Sequence, residues 1–226
     1  MKVTVLIPCF NEEDTVVQVI ERVMNAQSGF EKEILVVNDG STDSSEQRIR
    51  RFEDNAVRLI SHSSNRGKGA AIRTGFENAS GEVVVIQDAD LEYFPENIPN
   101  LVKPILEGEA DIVYGSRFLG TIKGMSLRHR LGNLVLSLTT SLLYEAKITD
   151  AMTGHKAFAV YAVKDLELEC KRFEVELEMT IKLLKRRRKI VEIPIPYEYR
   201  RSGKSKISWK DGFAALFYLL KSRLFD

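Results

Sequence analysis

The feature that most constrains this 226-residue chain is an alternation of short β-branched runs with amphipathic stretches, each run closed by a polar loop. Residues 3–7, 34–37, 57–60, 83–86 and 112–114 read as strands, and residues 13–25, 44–52, 70–78 and 98–106 as the helices between them. In the first helix Val16, Val19, Ile20 and Val23 fall on one face. Strands that are apolar on both faces and alternate with helices predict a mainly parallel sheet with helices on either side, an α/β fold. After Gly115 the rhythm breaks. A polar loop runs to about residue 130, a helix follows over 131–144, and a second polar loop covers 149–156. A short strand at 157–160, a helix at 174–187, a strand at 190–193 halted by Pro194 and Pro196, a basic loop at 200–206 and a helix at 209–224 complete the chain. No repeat or linker interrupts it, so the division expected is one domain over 1–206 and an amphipathic C-terminal segment over 207–226.

Composition narrows the class. Hydrophobic residues make up 44% and charged residues 29%, which excludes a disordered chain. The two cysteines, Cys9 and Cys170, stand far apart in apolar settings and read as buried free thiols. Met1-Lys2-Val3-Thr4 leads straight into a strand pattern without a signal-peptide apolar region, and nothing approaches the ~20 apolar residues of a membrane span. The expectation is a cytoplasmic chain. Its charge is uneven: residues 182–226 hold 13 Lys/Arg against 4 Asp/Glu, whereas the first 181 hold 20 against 28. That bias predicts an anionic contact near the C-terminal end, for which Lys185-Arg186-Arg187-Arg188-Lys189 is a candidate; a solvated helix face is the plainer alternative.

In an open parallel sheet, ligands bind beyond the C-terminal strand ends, and the polar groups collect there. Strand one ends in Pro8-Cys9-Phe10-Asn11-Glu12, strand two in Asn38-Asp39-Gly40-Ser41-Thr42-Asp43, and strand four in Gln87-Asp88-Ala89-Asp90-Leu91-Glu92. Strand three leads to Asn65-Arg66-Gly67-Lys68-Gly69. Asp88 and Asp90 can converge on a hard cation that bridges to phosphates, Mg²⁺ or Mn²⁺, with Glu92 as a third oxygen source if the segment stays extended. Helix capping is the alternative for either aspartate alone. Asp39 and Glu12 can accept hydrogen bonds from a base or ribose, and Lys68 can approach phosphate. The spacing is not that of a P-loop, and no dinucleotide-type glycine motif occurs.

These four segments, with Gly115-Ser116-Arg117, Thr149-Asp150-Ala151-Met152-Thr153-Gly154-His155-Lys156 and Gly203-Lys204-Ser205-Lys206, resemble family-two glycosyltransferases of the dolichol-phosphate mannose synthase-like group. The resemblance spans nearly the whole chain in order. It implies a nucleotide-diphosphosugar transferase (GT-A, Rossmann-like) fold, with 1–206 as the catalytic domain, an inverting reaction and Mg²⁺ or Mn²⁺. It places Pro8, Phe10, Glu12, Val37 and Asp39 around the nucleoside, and Asp88 and Ala89 along the donor. Asp90 and Glu92, beside Asp88, would hold the metal, while Arg117, Arg200 and Lys206 would meet phosphates. Phe10 stands where Tyr is frequent, and Glu92 where Gln is frequent.

Two acceptor chemistries follow. A polyprenyl phosphate is already ionised, needs no base, and would be clamped by Arg117, Arg130, Arg200 and Lys206. A sugar hydroxyl in polysaccharide assembly needs a carboxylate base, for which Asp150 is the candidate ahead of His129 and His155. Catalysis is thus expected to rest on Asp90, Arg117 and, for a hydroxyl acceptor, Asp150. Along the last helix Trp209, Phe213, Leu216, Phe217, Leu220 and Leu224 recur at helical spacing. They suit either docking on the core or a subunit, or peripheral membrane contact helped by Lys210, Lys221 and Arg223. A catalytically silent nucleotide-sugar-binding subunit is the reading from another class. Nucleic-acid binding lacks an aromatic-basic module.

Overall fold

The computed structural model describes residues 1–53, 57–200 and 209–224. The first strands are β1 (Lys2–Cys9), β2 (Glu31–Asn38), β3 (Val57–Ser61), β4 (Val83–Ile86) and β5 (Ile112–Ser116). Between them lie α1 (Val16–Asn25), α2 (Ser45–Arg50), α3 (Lys68–Asn78) and α4 (Ile98–Leu106). A two-residue strand β6 (Ile122–Lys123) precedes α5 (Leu127–Leu143), β7 (Lys156–Ala159), the short α6 (Val160–Val163) and α7 (Val175–Lys185). The chain ends with β8 (Ile190–Pro194), β9 (Tyr197–Glu198) and α8 (Trp209–Leu224).

Seven strands form one sheet in the order β3-β2-β1-β4-β7-β5-β8, and β6 pairs with β9 in a separate ribbon. All neighbours in the large sheet run parallel except β7, which is antiparallel to both β4 and β5. That reversal positions the site. Lys156, the first residue of β7, pairs with Ile86 and Tyr114 near the C-terminal ends of β4 and β5. The loop before β7 therefore enters the end of the sheet at which the parallel strands finish.

Alternation along β1 explains the two core layers. Val3, Val5 and Ile7 meet Val16, Val19, Ile20 and Val23 of α1 on one face. Leu6 points the other way, with Leu35 and Val37, toward Ala71 and Ile72 of α3 and Met179 of α7. Each fully buried Val, Leu, Ile or Met side chain among these contributes roughly 1.5–3 kcal/mol. The Val37 side chain is thus wholly buried in the core and does not face the cleft loops as expected.

The second half departs most from expectation. Helix α5 begins at Leu127 instead of residue 131, since Ser126 caps it by accepting the His129 backbone N–H. Leu136 of α5, Leu177 and Ile181 of α7, and Ala215 and Leu219 of α8 form a third apolar cluster, so one stripe of α8 docks on the molecule. Its other stripe, Phe213, Phe217 and Leu220, is exposed. The basic run is largely engaged internally. Lys185 donates to the Ser222 carbonyl at 2.7 Å, Arg186 to that of Asp165 at 2.6 Å, and Arg188 pairs with Asp111 at 3.4 Å. Both cysteines are free, Cys9 buried and Cys170 half-buried.

Candidate active site

A cleft of about 860 Å³ opens at the C-terminal ends of β1, β2 and β4. Pro8, Phe10, Glu12, Asp39, Lys68, Asp88, Ala89, Asp90, Glu92, Arg117 and Arg200 all reach its wall. Val37 does not, and Arg130 is exposed on α5 outside the cleft, one residue off the face that brings Arg128 and His129 to it. Lys206 lies outside the described residues, as do the side chains of Trp209 and Lys210.

Asp39 is not a free acceptor. Its Oδ1 meets His62 Nδ1 at 2.7 Å and the Arg66 N–H at 2.9 Å, and its Oδ2 accepts from Asn65 at 2.9 Å and the Gly67 N–H at 2.7 Å. The carboxylate gathers the loop before α3. Gly67 and Gly69 in that loop lie against backbone: a Cβ there would come within 2.1 Å of the Lys171 and Cys170 carbonyl oxygens respectively. These glycines seat the turn against the segment leading to α7 and so aim Lys68 into the cleft.

The segment after β4 turns instead of continuing extended. Leu91 has φ 63°, a left-handed conformation costly for a bulky residue, and Asp90 Oδ1 accepts the Glu92 N–H at 3.1 Å. Glu92, expected as a metal ligand, has both oxygens occupied: Oε2 accepts from Tyr197 at 2.5 Å, and Oε1 from Arg200 at 3.2 Å. Arg200 also meets Asp90 at 2.5 Å and Glu12 at 3.4 Å. Deeper in the cleft, Lys68 lies 2.7 Å from Asp88 and 2.9 Å from Glu176 of α7, whose other oxygen meets Lys156 at 2.7 Å.

Burial pushes the Asp88 carboxyl up to about 6, opposed by Lys68 and reinforced by the charges of Asp90 and Glu176. Asp90 is raised by burial and by Glu92. Among the described residues, Glu12, Asp88, Asp90, Glu92 and Glu176 contact Lys68, Lys156 and Arg200. The Asp88 and Asp90 carboxylates are hard oxygen donors on one cleft wall, a chemistry that fits a divalent cation. No three acidic, His or Cys groups converge on one point among the described residues, so such a cation would complete its shell with water and phosphate oxygens, as Mg²⁺ commonly does.

Asp150 occupies a different place from that of a base. It is wholly buried, accepts the Arg117 backbone N–H at 3.0 Å, and grips the Arg117 guanidinium with both oxygens at 2.7 Å. The Thr149 and Asp150 N–H groups are held in turn by Glu192 at 2.8 and 2.9 Å. Asp150 is therefore the residue that orients Arg117, whose guanidinium also lies over the Tyr197 ring at 5.4 Å. His155 is buried, packed edge-on against Tyr93, and pushed down to about 3 by burial, so it stays neutral. His129 is exposed at the cleft mouth near Tyr199.

Sequence reasoning missed Tyr93, Glu176 and Tyr197, all on the cleft wall. Glu176 has the pattern of an ordinary first-turn helix acid, and the two tyrosines belong to a small cluster with Ile195 beside the β6–β9 ribbon. Only the proline-flanked aromatic run at 194–199 offered a signal.

The largely parallel sheet, with carboxylates, an ammonium and guanidinium groups around one cleft at its C-terminal edge, has the architecture of the GT-A fold. The family model described as glycosyl transferase family 2 matches residues 4–167. A dolichol-phosphate mannosyltransferase of Pyrococcus furiosus is 31% identical over 226 residues, covering 98% of this chain and 63% of its own. A UDP-N-acetylglucosamine–dolichyl-phosphate N-acetylglucosaminyltransferase of Methanococcus voltae is 32% identical, covering 86% of this chain and 84% of its own. The solved glucosyl-3-phosphoglycerate synthase of Mycobacterium tuberculosis, in complex with Mn²⁺, UDP and phosphoglyceric acid, has a TM-score of 0.77 at 23% identity, over 98% of this chain and 78% of that one. The chain belongs to glycosyl transferase family 2, and it spans 63% of the length of the Pyrococcus relative.

Proposed function

We propose that the protein transfers a hexose, with inversion, from a nucleotide-diphosphate sugar of the GDP-mannose or UDP-glucose type to a polyprenyl phosphate, using Mg²⁺ or Mn²⁺. The observation that carries this reading is the pairing of every carboxylate on the cleft wall. Glu12, Asp90 and Glu92 are tied to Arg200, Asp88 and Glu176 to Lys68, and Asp39 to its loop. A hydroxyl acceptor needs a base to take its proton, whereas a phosphate arrives ionised and asks for cations and positioning. Arg117 and Arg128 supply the cations.

The relatives support the same class, being named for dolichyl-phosphate acceptors. The Mn²⁺ and UDP of the mycobacterial enzyme support a metal and a nucleotide at the donor end. A cation held by Asp88 and Asp90 would neutralise charge developing on the departing diphosphate. Arg200 and Lys68 already balance those carboxylates and are placed to turn toward phosphate oxygens.

Leu131, Val135 and Leu136 of α5 and Phe213 and Leu216 of α8 form an apolar wall at the mouth, suited to the first part of a lipid. Beyond it Leu127, Leu134, Leu138 and Leu142 are exposed along α5, and no acidic residue occurs between Asp111 and Glu145. An apolar face bordered by Arg128 and Arg130 fits the surface of an anionic bilayer. No helix among the described residues is long and apolar enough to cross a membrane, so the contact is read as peripheral.

The test is a donor-by-acceptor transfer screen with Mg²⁺ and Mn²⁺, comparing the wild type with Asp90→Ala. A radiolabelled lipid-phosphate sugar made by the wild type and lost in the variant is the expected result. Transfer only to a sugar hydroxyl would overturn the acceptor, and equal transfer by both proteins would overturn the metal site. Binding of donor without turnover on any acceptor would favour a silent subunit.

A further inference from the structure

We infer that Glu176 is a positioning residue for the donor end of the cleft, acting on Asp88 through Lys68; the inference rests on the reading of Asp88 as a donor-side group. Glu176 stands in the first turn of α7, beyond the residues matched by the family model, and is 3% exposed. Its Oε2 accepts a hydrogen bond from Lys156 at 2.7 Å, and its Oε1 stands 2.9 Å from the Lys68 ammonium as an ion pair. Lys156 is wholly buried and also donates to the carbonyls of Ala151 and Glu176. A carboxylate anchored in this way has little freedom.

The consequence is passed outward. Lys68 leaves the Gly67–Gly69 turn, which rests on the Cys170 and Lys171 backbone, the segment that leads to Glu176. Backbone and ammonium of Lys68 are thus both referenced to α7, and the ammonium stands 2.7 Å from Asp88. On another side Asp88 lies against Gly154, where a Cβ would come 2.3 Å from Oδ2 and 3.3 Å from Lys68 Nζ. The Asp88 carboxylate therefore sits in a slot with an ammonium on one side and bare backbone on another. Without Glu176, Lys68 would lose the partner that shares it with Asp88 and would be drawn fully onto the donor-side carboxylate.

Docking of α7 would be served by the Lys156 contact alone, so the Lys68 contact is the part to test. The variants are Lys68→Met, Glu176→Gln and their combination. The readouts are calorimetric binding of UDP and GDP with Mn²⁺, and donor and acceptor KM. Glu176→Gln is expected to weaken Mn²⁺-dependent nucleotide binding about 10-fold, the low end of the 10–100-fold loss in metal affinity or activity typical when a group behind a metal ligand is removed. Donor KM should rise while acceptor KM stays unchanged. The double variant should bind no more weakly than Lys68→Met alone.

Full additivity, or wild-type nucleotide affinity in Glu176→Gln, would overturn the inference while leaving the donor reading intact. A wild type that binds neither nucleotide would overturn both. If Glu176→Gln fails to fold because Lys156 loses its partner, the same cycle in a Lys156→Met background removes that liability and separates the same outcomes.

Discussion

At the scale of single residues, charge is placed by partners and not by exposure. Glu33, near the N-terminal end of β2 and so at the opposite end of the strand from the cleft, is 5% exposed. It accepts from Thr4 Oγ1 at 2.6 Å, the Ser80 N–H at 2.9 Å and Arg58 at 2.7 Å. Burial raises its carboxyl, but these donors outweigh burial and bring it down to about 2. A group depressed in the folded state contributes stability above its unfolded value, roughly 4.3, and loses it as pH falls toward the folded value. Thermal midpoints of the wild type should therefore fall between about pH 4.5 and 2 more steeply than those of Glu33→Gln, which should already be less stable at neutral pH. Parallel acid profiles would contradict this assignment.

Asp150 makes the opposite point about function. An acidic residue in a polar loop invites the role of base, yet both its oxygens hold Arg117. Removing one partner of a buried pair costs roughly 3–5 kcal/mol. Asp150→Asn should accordingly lower the thermal midpoint by several degrees and raise the KM for a phosphate-bearing substrate. A fall in kcat alone, with stability intact, would restore the base.

At the scale of elements, legibility followed periodicity. β1, β2, β4 and α1 were readable because their apolar repeats are long and buried on defined faces, and the open-sheet rule then located the cleft loops. β6 and β9 hold two residues each, too few to carry a repeat. Helix α7 hid its contribution because Glu176 and Glu178 have the pattern of solvent-facing acids. Both are buried, and Glu178 accepts the N–H groups of Glu169 and Cys170 at 2.7 and 2.9 Å. The antiparallel setting of β7 was equally silent, though it is what brings the 149–156 loop and Gly154 against Asp88. Gly154→Ala tests that junction. The added methyl meets a carboxylate and not the main chain, so donor KM should rise at least several-fold while the thermal midpoint moves by no more than a few degrees. Unchanged donor KM would mean that Asp88 has room to retreat.

At the scale of the whole molecule, a charged donor end and an apolar mouth share one cleft, and the mouth is continuous with an exposed apolar face on α5 and α8. Leu131→Glu with Leu138→Glu should abolish co-sedimentation with phosphatidylglycerol vesicles. Wild-type binding should weaken with salt, since cations border the apolar face. The same variant should keep nucleotide binding, because the donor end is built from other elements. Wild-type sedimentation by the variant would leave this face without a lipid role.

The burial of Lys156 has a consequence in protein chemistry. Its amine is out of reach of acylating reagents while the 149–156 loop is closed, and burial lowers its affinity for protons despite Glu176. Once the loop opens, the same amine becomes an ordinary target. Mass-spectrometric labelling of Lys156 over time would therefore act as a clock for local opening. A donor nucleotide that seats on Asp88 and Lys68 should slow that clock without altering the labelling of Lys103 and other exposed lysines.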